Sequence, residues 1–257
     1  MRRWLLPLFL LAAGVIPAGA AGITVAADHW CPINCEENST RPGIMIEMAQ
    51  KIFARQGYQL KYRALPWSRA IAEARAGRID GVVGAFEGDV PDFIFPENEI
   101  MELSSSSLFV RKTSSWEYLG MASLKKVSLG IIRGYDYGEE LNAYIQASGD
   151  AAGKIQTMSA ERPLEKNIRK LLAGRVDVLV ESAPVFWYTA TQLGLSRQLK
   201  EAGRISRPRK CYIAFSPARA EAKKYAALLS AGIADLKKSG EYQSILLSYG
   251  MNEAAGQ

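Results

Sequence analysis

The feature that most constrains this chain is an internal repeat. The stretch Pro66–Phe86, PWSRAIAEARAGRIDGVVGAF, is echoed 97 residues later (163 against 66) by Pro163–Ser182, PLEKNIRKLLAGRVDVLVES. Pro66 answers Pro163, Ile71 answers Ile168, and Ala76-Gly77-Arg78-Ile79-Asp80 answers Ala173-Gly174-Arg175-Val176-Asp177. Each copy reads as helix, turn, strand. Proline suits a first helical turn, glycine suits the position after a helix ends, and the β-branched run after the aspartate suits a buried parallel strand. Two helix-glycine-strand units can also recur by chance, but the shared proline, Ala-Gly-Arg and aspartate at one offset argue for two related α/β lobes.

Ahead of the repeat, Arg2 and Arg3, the apolar run Trp4–Ile16 and Ala18-Gly19-Ala20 match a secretory signal over residues 1–20, so the mature chain is expected to start near Ala21. The run is short and broken by Pro7, and nothing later approaches a bilayer span, so no stable membrane insertion is expected after cleavage. The expected location is the periplasm. Losing two arginines takes the net charge from +6 to +4, and the chain has one His and no basic run longer than Arg207-Pro208-Arg209-Lys210. Nucleic acid is therefore not an expected partner. An apolar share of 48% is ample for one or two cores.

Cys31 and Cys35 lie in the polar stretch Asp28–Arg41, and an oxidising compartment favours a disulfide between them. Such a small loop gains only about 2 kcal/mol by the chain-entropy model, so its use is to shape a loop. A metal site of His29, Cys31 and Cys35 is the alternative, but no fourth ligand is evident. Cys211, in an apolar strand-like segment, reads as a buried inert thiol.

In chain order, strands are expected at Ile23–Ala27, Gln59–Leu65, Gly81–Ala85 and Leu108–Arg111, then at Val127–Ile132, Ile155–Met158, Val176–Val180 and Cys211–Phe215. Helices carrying Met45, Met48, Ile52 and Phe53, or Trp67, Ile71 and Ala74, fall between the early ones. Phe86–Glu102 reads as irregular and Arg204–Lys210 as a solvated basic linker. The two C-terminal helices have no sheet of their own. Docking them on the first lobe makes that lobe discontinuous, residues 21–110 with 211–257, around a second lobe of 111–210. The chain then crosses between lobes twice, and two crossings make a hinge.

With that order in place, the chain resembles the bacterial family 3 solute-binding proteins, periplasmic receptors of ABC importers best known for polar amino acids. The resemblance spans the whole mature chain. It rests on Gly43-Ile44-Met45-Ile46-Glu47-Met48, Gly77-Arg78-Ile79-Asp80, Leu129-Gly130-Ile131-Ile132-Arg133-Gly134, Gly174-Arg175-Val176-Asp177 and Leu236-Lys237-Lys238-Ser239-Gly240-Glu241-Tyr242. It implies a two-lobed, hinged α/β fold, each lobe a mostly parallel sheet flanked by helices, with a small polar solute in the cleft and an inner-membrane ABC permease as partner. A monomer without a cofactor is expected. The family's amino-acid readers carry T-x-x-R after the third strand and an aspartate at the end of the matching second-lobe strand. Here Ala85-Phe86-Glu87-Gly88 follows the third strand, and Ser182 stands in the aspartate's place with Glu181 before it. This departure argues against a standard α-amino acid held by both charged ends.

Open α/β sheets bind ligands beyond the carboxyl ends of their strands. That rule selects Asp28, Trp30, Trp67, Arg69, Ala85, Phe86, Arg133, Tyr135, Asp136, Tyr137, Glu181 and Ser182. Trp30, Trp67, Tyr135 and Tyr137 can cover a flat or apolar ligand, or serve as plain core. Arg69 and Arg133 can each fork onto a carboxylate or phosphate, or sit in surface ion pairs. Arg69, in a helix's first turn, is disfavoured by the dipole unless an anion is near. Asp28, Asp136 and Glu181 can receive an ammonium or hydroxyl, or act as turn formers. Asp80 and Asp177, at strand starts, read as structural, and no catalytic pair is recognisable around His29. The expected function is solute binding. The alternatives are an enzyme of the same fold resembling cyclohexadienyl dehydratase, with Glu181 or Asp136 as its acid, and an accessory or sensory receptor.

Overall fold

The computed structural model describes residues 21–103, 106–149, 153–205 and 208–251. The leader expected at 1–20 lies outside them. Two five-stranded mixed sheets carry the chain, each flanked by helices. The first holds β1 (Ala21–Ala27), β2 (Tyr58–Ala64), β3 (Gly81–Ala85), β4 (Met101–Leu103) and β10 (Arg209–Phe215), in the order β2-β1-β3-β10-β4. The second holds β5 (Ser106–Arg111), β6 (Leu129–Ile132), β7 (Ile155–Met158), β8 (Val178–Ser182) and β9 (Leu199–Arg204), in the order β7-β6-β8-β5-β9. In both, three parallel strands are followed by an antiparallel fourth, β10 beside β3 and β5 beside β8.

The repeat is visible in detail. Helix α2 (Trp67–Arg75) and helix α4 (Pro163–Leu172) end at Gly77 and Gly174, whose φ angles of 70° and 69° lie in the left-handed region that only glycine enters without strain. Asp80 then accepts the Thr24 amide at 2.8 Å, and Asp177 accepts the Ser128 amide at 2.9 Å. Each carboxylate fastens the start of one strand to its neighbour, at the edge away from the strands' carboxyl ends.

Two expectations change. Ser106–Arg111 pairs along its length with β8 and β9, so a division at 110 would cut a strand of the second sheet; the chain passes between sheets after Leu103. The segment read as a solvated linker, Arg204–Lys210, instead joins two strands, the charged edge strand β9 and β10, which begins at Arg209. Charged edges are how sheets discourage outside pairing, and in sequence they look like linkers. Phe86–Glu102 is largely irregular, as expected, and is pinned by an isolated bridge from Ile94 to Phe215.

The C-terminal helices α6 (Ala222–Ser239) and α7 (Glu241–Ser248) dock on the first lobe against α1 (Ile44–Arg55). Tyr225 meets Phe53 edge-on at 6.1 Å between ring centroids, and Glu241 pairs with Lys51 and Arg55. The ring contact adds about 0.5–1.5 kcal/mol beyond its buried area; the exposed ion pairs are each worth less than about 1 kcal/mol. Helix α3 spans Glu139–Ser148 and α5 spans Ala183–Gln192. No helix among the described residues is long and apolar enough to cross a membrane.

Candidate functional site

Between the two sheets, at the carboxyl ends of β1, β3, β6 and β8, two small cavities lie side by side, about 20 and 30 Å3 in volume. Each is room for a water molecule or two. The lobes are therefore shut, and a run of hydrogen bonds across the cleft holds them so. Tyr135 donates its hydroxyl to Asp28 Oδ2 at 2.8 Å, Trp30 Nε1 donates to Glu181 Oε1 at 2.9 Å, and Trp67 Nε1 donates to the Gly134 carbonyl at 3.0 Å. The Asp136 amide donates to Asp89 Oδ1 at 2.7 Å. Gly88 permits this last approach, because a Cβ there would lie 2.1 Å from an Asp136 carboxylate oxygen.

Strand order explains the convergence. The turn after β6 delivers Tyr135, Asp136 and Tyr137, β8 ends in Glu181 and Ser182, and β1 hands on to Asp28 and Trp30. Trp67 opens α2, and Phe86 follows β3. These nine line one cavity or both. Tyr135 stands among the rings, 6.4 Å from Trp30 and 6.3 Å from Trp67, edge-on to each. Tyr137 is buried, and its oxygen accepts the Ile132 amide.

The other three candidates lie elsewhere. Ala85 is buried but lines neither cavity. Arg69 is exposed because two residues along α2 turn it about 200° from the inward Trp67. Arg133 is likewise exposed, and its neighbour Gly134 meets Trp67 through a carbonyl instead.

Residues that sequence reading did not select also reach the site. Asn34 lies inside the Cys31–Cys35 disulfide loop, buried, and donates to the Asp28 carbonyl at 2.6 Å. With the cysteines joined and His29 paired to Glu36, that loop shapes the cleft. Asp89 follows Phe86 in the loop after β3 and accepts the Phe86 amide at 2.8 Å. Arg209 arrives through β10, which runs antiparallel and so brings its first residue to the edge where the parallel strands end. Its guanidinium pairs with the Asp136 carboxylate, donates to the Asp136 carbonyl at 2.7 Å and lies 4.1 Å over the Phe86 ring. The sole sequence signal for it was a basic residue just ahead of an apolar strand.

The electrostatics are one-sided. The residues lining the cavities include four acids, Asp28, Asp89, Asp136 and Glu181, and a single cation, Arg209, already given to Asp136. Burial pushes the Asp28 carboxyl up to about 7 against the Tyr135 hydrogen bond. Burial likewise pushes Asp89 up to about 8 and Glu181 up to about 8, against the amides and indole that hydrogen-bond them. Burial also raises Asp136, but the Gly138 amide and Arg209 outweigh it and hold the group low. An ionised carboxylate in such surroundings costs several kcal/mol unless a cation joins it, and two like charges 4 Å apart repel by about 4 kcal/mol at an effective dielectric near 20. Among the described residues, Glu181 Oε2, Ser182 Oγ and Asn34 Oδ1 are buried without a hydrogen-bond partner.

A larger groove of about 570 Å3 lies outside this layer, lined in part by His29, Glu36, Arg41, Arg162 and Tyr249. There Arg162 pairs with both Glu36 and Glu165, and Arg41 donates to the Ser248 carbonyl and stacks on Tyr249. No group of three or more His, Cys, Asp or Glu among the described residues could hold a metal ion.

Comparison with known proteins gives one family and one fold. Residues 23–252 match the model for bacterial extracellular solute-binding proteins, family 3. A search among curated proteins found no match. Among solved structures, an ancestral arginine-binding protein bound to arginine is 19% identical, with a TM-score of 0.71, covering 90% of this chain and 99% of its own. A histidine kinase sensor domain with similarity to periplasmic binding proteins is 21% identical, with a TM-score of 0.71, covering 90% and 96%. An amino acid ABC transporter substrate-binding protein from Streptococcus pneumoniae bound to L-arginine is 18% identical, with a TM-score of 0.69, covering 89% and 93%. At these identities the structures speak for the two-lobed fold alone.

Proposed function

Because this chain belongs to the bacterial extracellular solute-binding proteins of family 3, we propose that it captures a small solute between its lobes in the periplasm and presents the closed form to an ABC-type permease. The observation that carries this reading is the convergence of side chains from both sheets on one cleft, above all Tyr135 on Asp28 and Trp30 on Glu181. Groups so placed can report a bound solute by drawing the lobes together. Binding, with no chemical step, is the proposed role. The similarity to a histidine kinase sensor domain favours one second reading, in which the same closure is relayed to a signalling partner.

A thermal-shift screen of polar metabolites tests the proposal. A solute at 100 times its dissociation constant adds about 2.7 kcal/mol, which for a chain this size raises Tm by roughly 5–10 °C. A broad screen in which no solute shifts Tm would overturn the reading. Pull-down of a permease against pull-down of a kinase separates transport from signalling.

A further inference from the structure

The cleft's unmet chemistry points to the class of solute, an inference that rests on the solute-binding reading above. Each cavity pairs a carboxyl group with a buried polar atom that no protein group satisfies. The first holds Asp28, 3% exposed, with Asn34, 1% exposed, whose Oδ1 is unpartnered. The second holds Glu181, 3% exposed, whose Oε2 is unpartnered, with the orphan hydroxyl oxygen of Ser182, 7% exposed. Unpartnered acceptors in a native interior are few and call for an explanation. A solute bearing N–H donors supplies one.

Charge and shape agree with the hydrogen bonding. Besides each other, the groups facing Asp28 and Glu181 are Tyr62, Asp89, Asp136, Tyr135, Tyr137, Trp30 and Arg209, with His29 at the rim. Among them Arg209 is the one fixed cation, and it is spent on Asp136 and Phe86. An anionic solute would hold Asp28 and Glu181 in their protonated form and would find no free guanidinium. A cationic solute would pair with both as they ionise, and the faces of Trp30, Trp67 and Tyr135 would attract it further through their ring quadrupoles. We propose that the solute is a protonated organic amine, held by its N–H groups on Glu181, Ser182, Asp28 and Asn34 within aromatic walls, without need of a carboxylate of its own.

Calorimetric titration of the intact protein with butylamine, 1,4-diaminobutane, tetramethylammonium, succinate, L-glutamate and glucose tests this. At pH 8.5 one or both N–H amines should bind, at least 10-fold more tightly than tetramethylammonium, which lacks donors. Affinity should fall at least 10-fold at pH 5.5, where Asp28 and Glu181 take up protons while the amine stays charged. Glu181→Gln should weaken amine binding at least 10-fold; if that variant folds poorly, Ser182→Ala provides the same comparison at the same cavity. Lack of heat from both amines up to 10 mM overturns the assignment, as does tetramethylammonium binding as tightly as butylamine. Tighter binding of succinate, glutamate or glucose overturns the amine class while leaving solute capture standing. Failure of solute capture itself is read separately, from the thermal-shift screen.

Discussion

The hydroxyl of Tyr135 donates to Asp28 Oδ2 at 2.8 Å, tying the turn after β6 in one lobe to the end of β1 in the other. Tyr135 also stands between the Trp30 and Trp67 rings. It thus occupies the place where a solute would meet Asp28, and it must yield before the cleft can be filled.

Replacing Tyr135 by Phe keeps the ring and removes that bond. A hydrogen bond to a charged group is worth about 1.5–3 kcal/mol, so at pH 8.5, where Asp28 is ionised, Tyr135→Phe should shift solute-free protein toward open lobes. Small-angle scattering should show a larger radius of gyration than for the wild type. Identical scattering curves would mean that this bond does not hold the cleft shut.

A second expectation concerns pH. Asp28, Asp89 and Glu181 sit at about 7, 8 and 8 in the folded protein, above their ordinary values near 4. From about pH 4 to pH 8 the folded state binds more protons than the unfolded state, so these groups make stability fall as pH rises through that window. One such carboxyl, taken across the whole window, costs on the order of 4 kcal/mol. Thermal melts without solute should therefore drop between pH 5 and pH 8.5. Glu181→Gln, which cannot ionise, should match the wild type near pH 5 and exceed it at pH 8.5; equal melting at both pH values would refute the account.

Gly88 offers a purely steric test. With Cβ 2.1 Å from the Asp136 carboxylate in the closed form, Gly88→Ala should fold with ordinary stability yet close incompletely. The solute-free variant should then show a larger radius of gyration than the wild type, and bind solute at least several-fold more weakly. A radius of gyration equal to that of the wild type would show that the loop has room to give.

The cysteines can be read by mass spectrometry. Non-reduced digests should yield a Cys31–Cys35 linked peptide. Cys211, wholly buried beside the Met45 sulfur and with its thiol pushed up by burial, should resist alkylation until the protein is denatured. A Cys31–Cys211 peptide, or rapid labelling of Cys211 in the native protein, would contradict this arrangement.

What the sequence determined by itself was the duplication and the edge of each sheet that matters. The offset between Pro66 and Pro163 carried the helix, the left-handed glycine and the fastening aspartate of both lobes, because capping and turn chemistry are local. The carboxyl ends of parallel strands then named nine of the residues that line the cavities, since chain direction alone decides on which edge those residues emerge. Tertiary structure decided the rest. Arg209 follows more than 70 residues after Asp136 (209 against 136) and reaches it through an antiparallel strand, a pairing that local composition cannot signal. Arg69 turned outward because helix phase relative to a sheet is set by which face packs, and Trp67 took the inward side. Above all, the charge states of Asp28, Asp89 and Glu181 depend on how little water remains when two lobes close over them, and burial of that kind exists only once both sheets are in place.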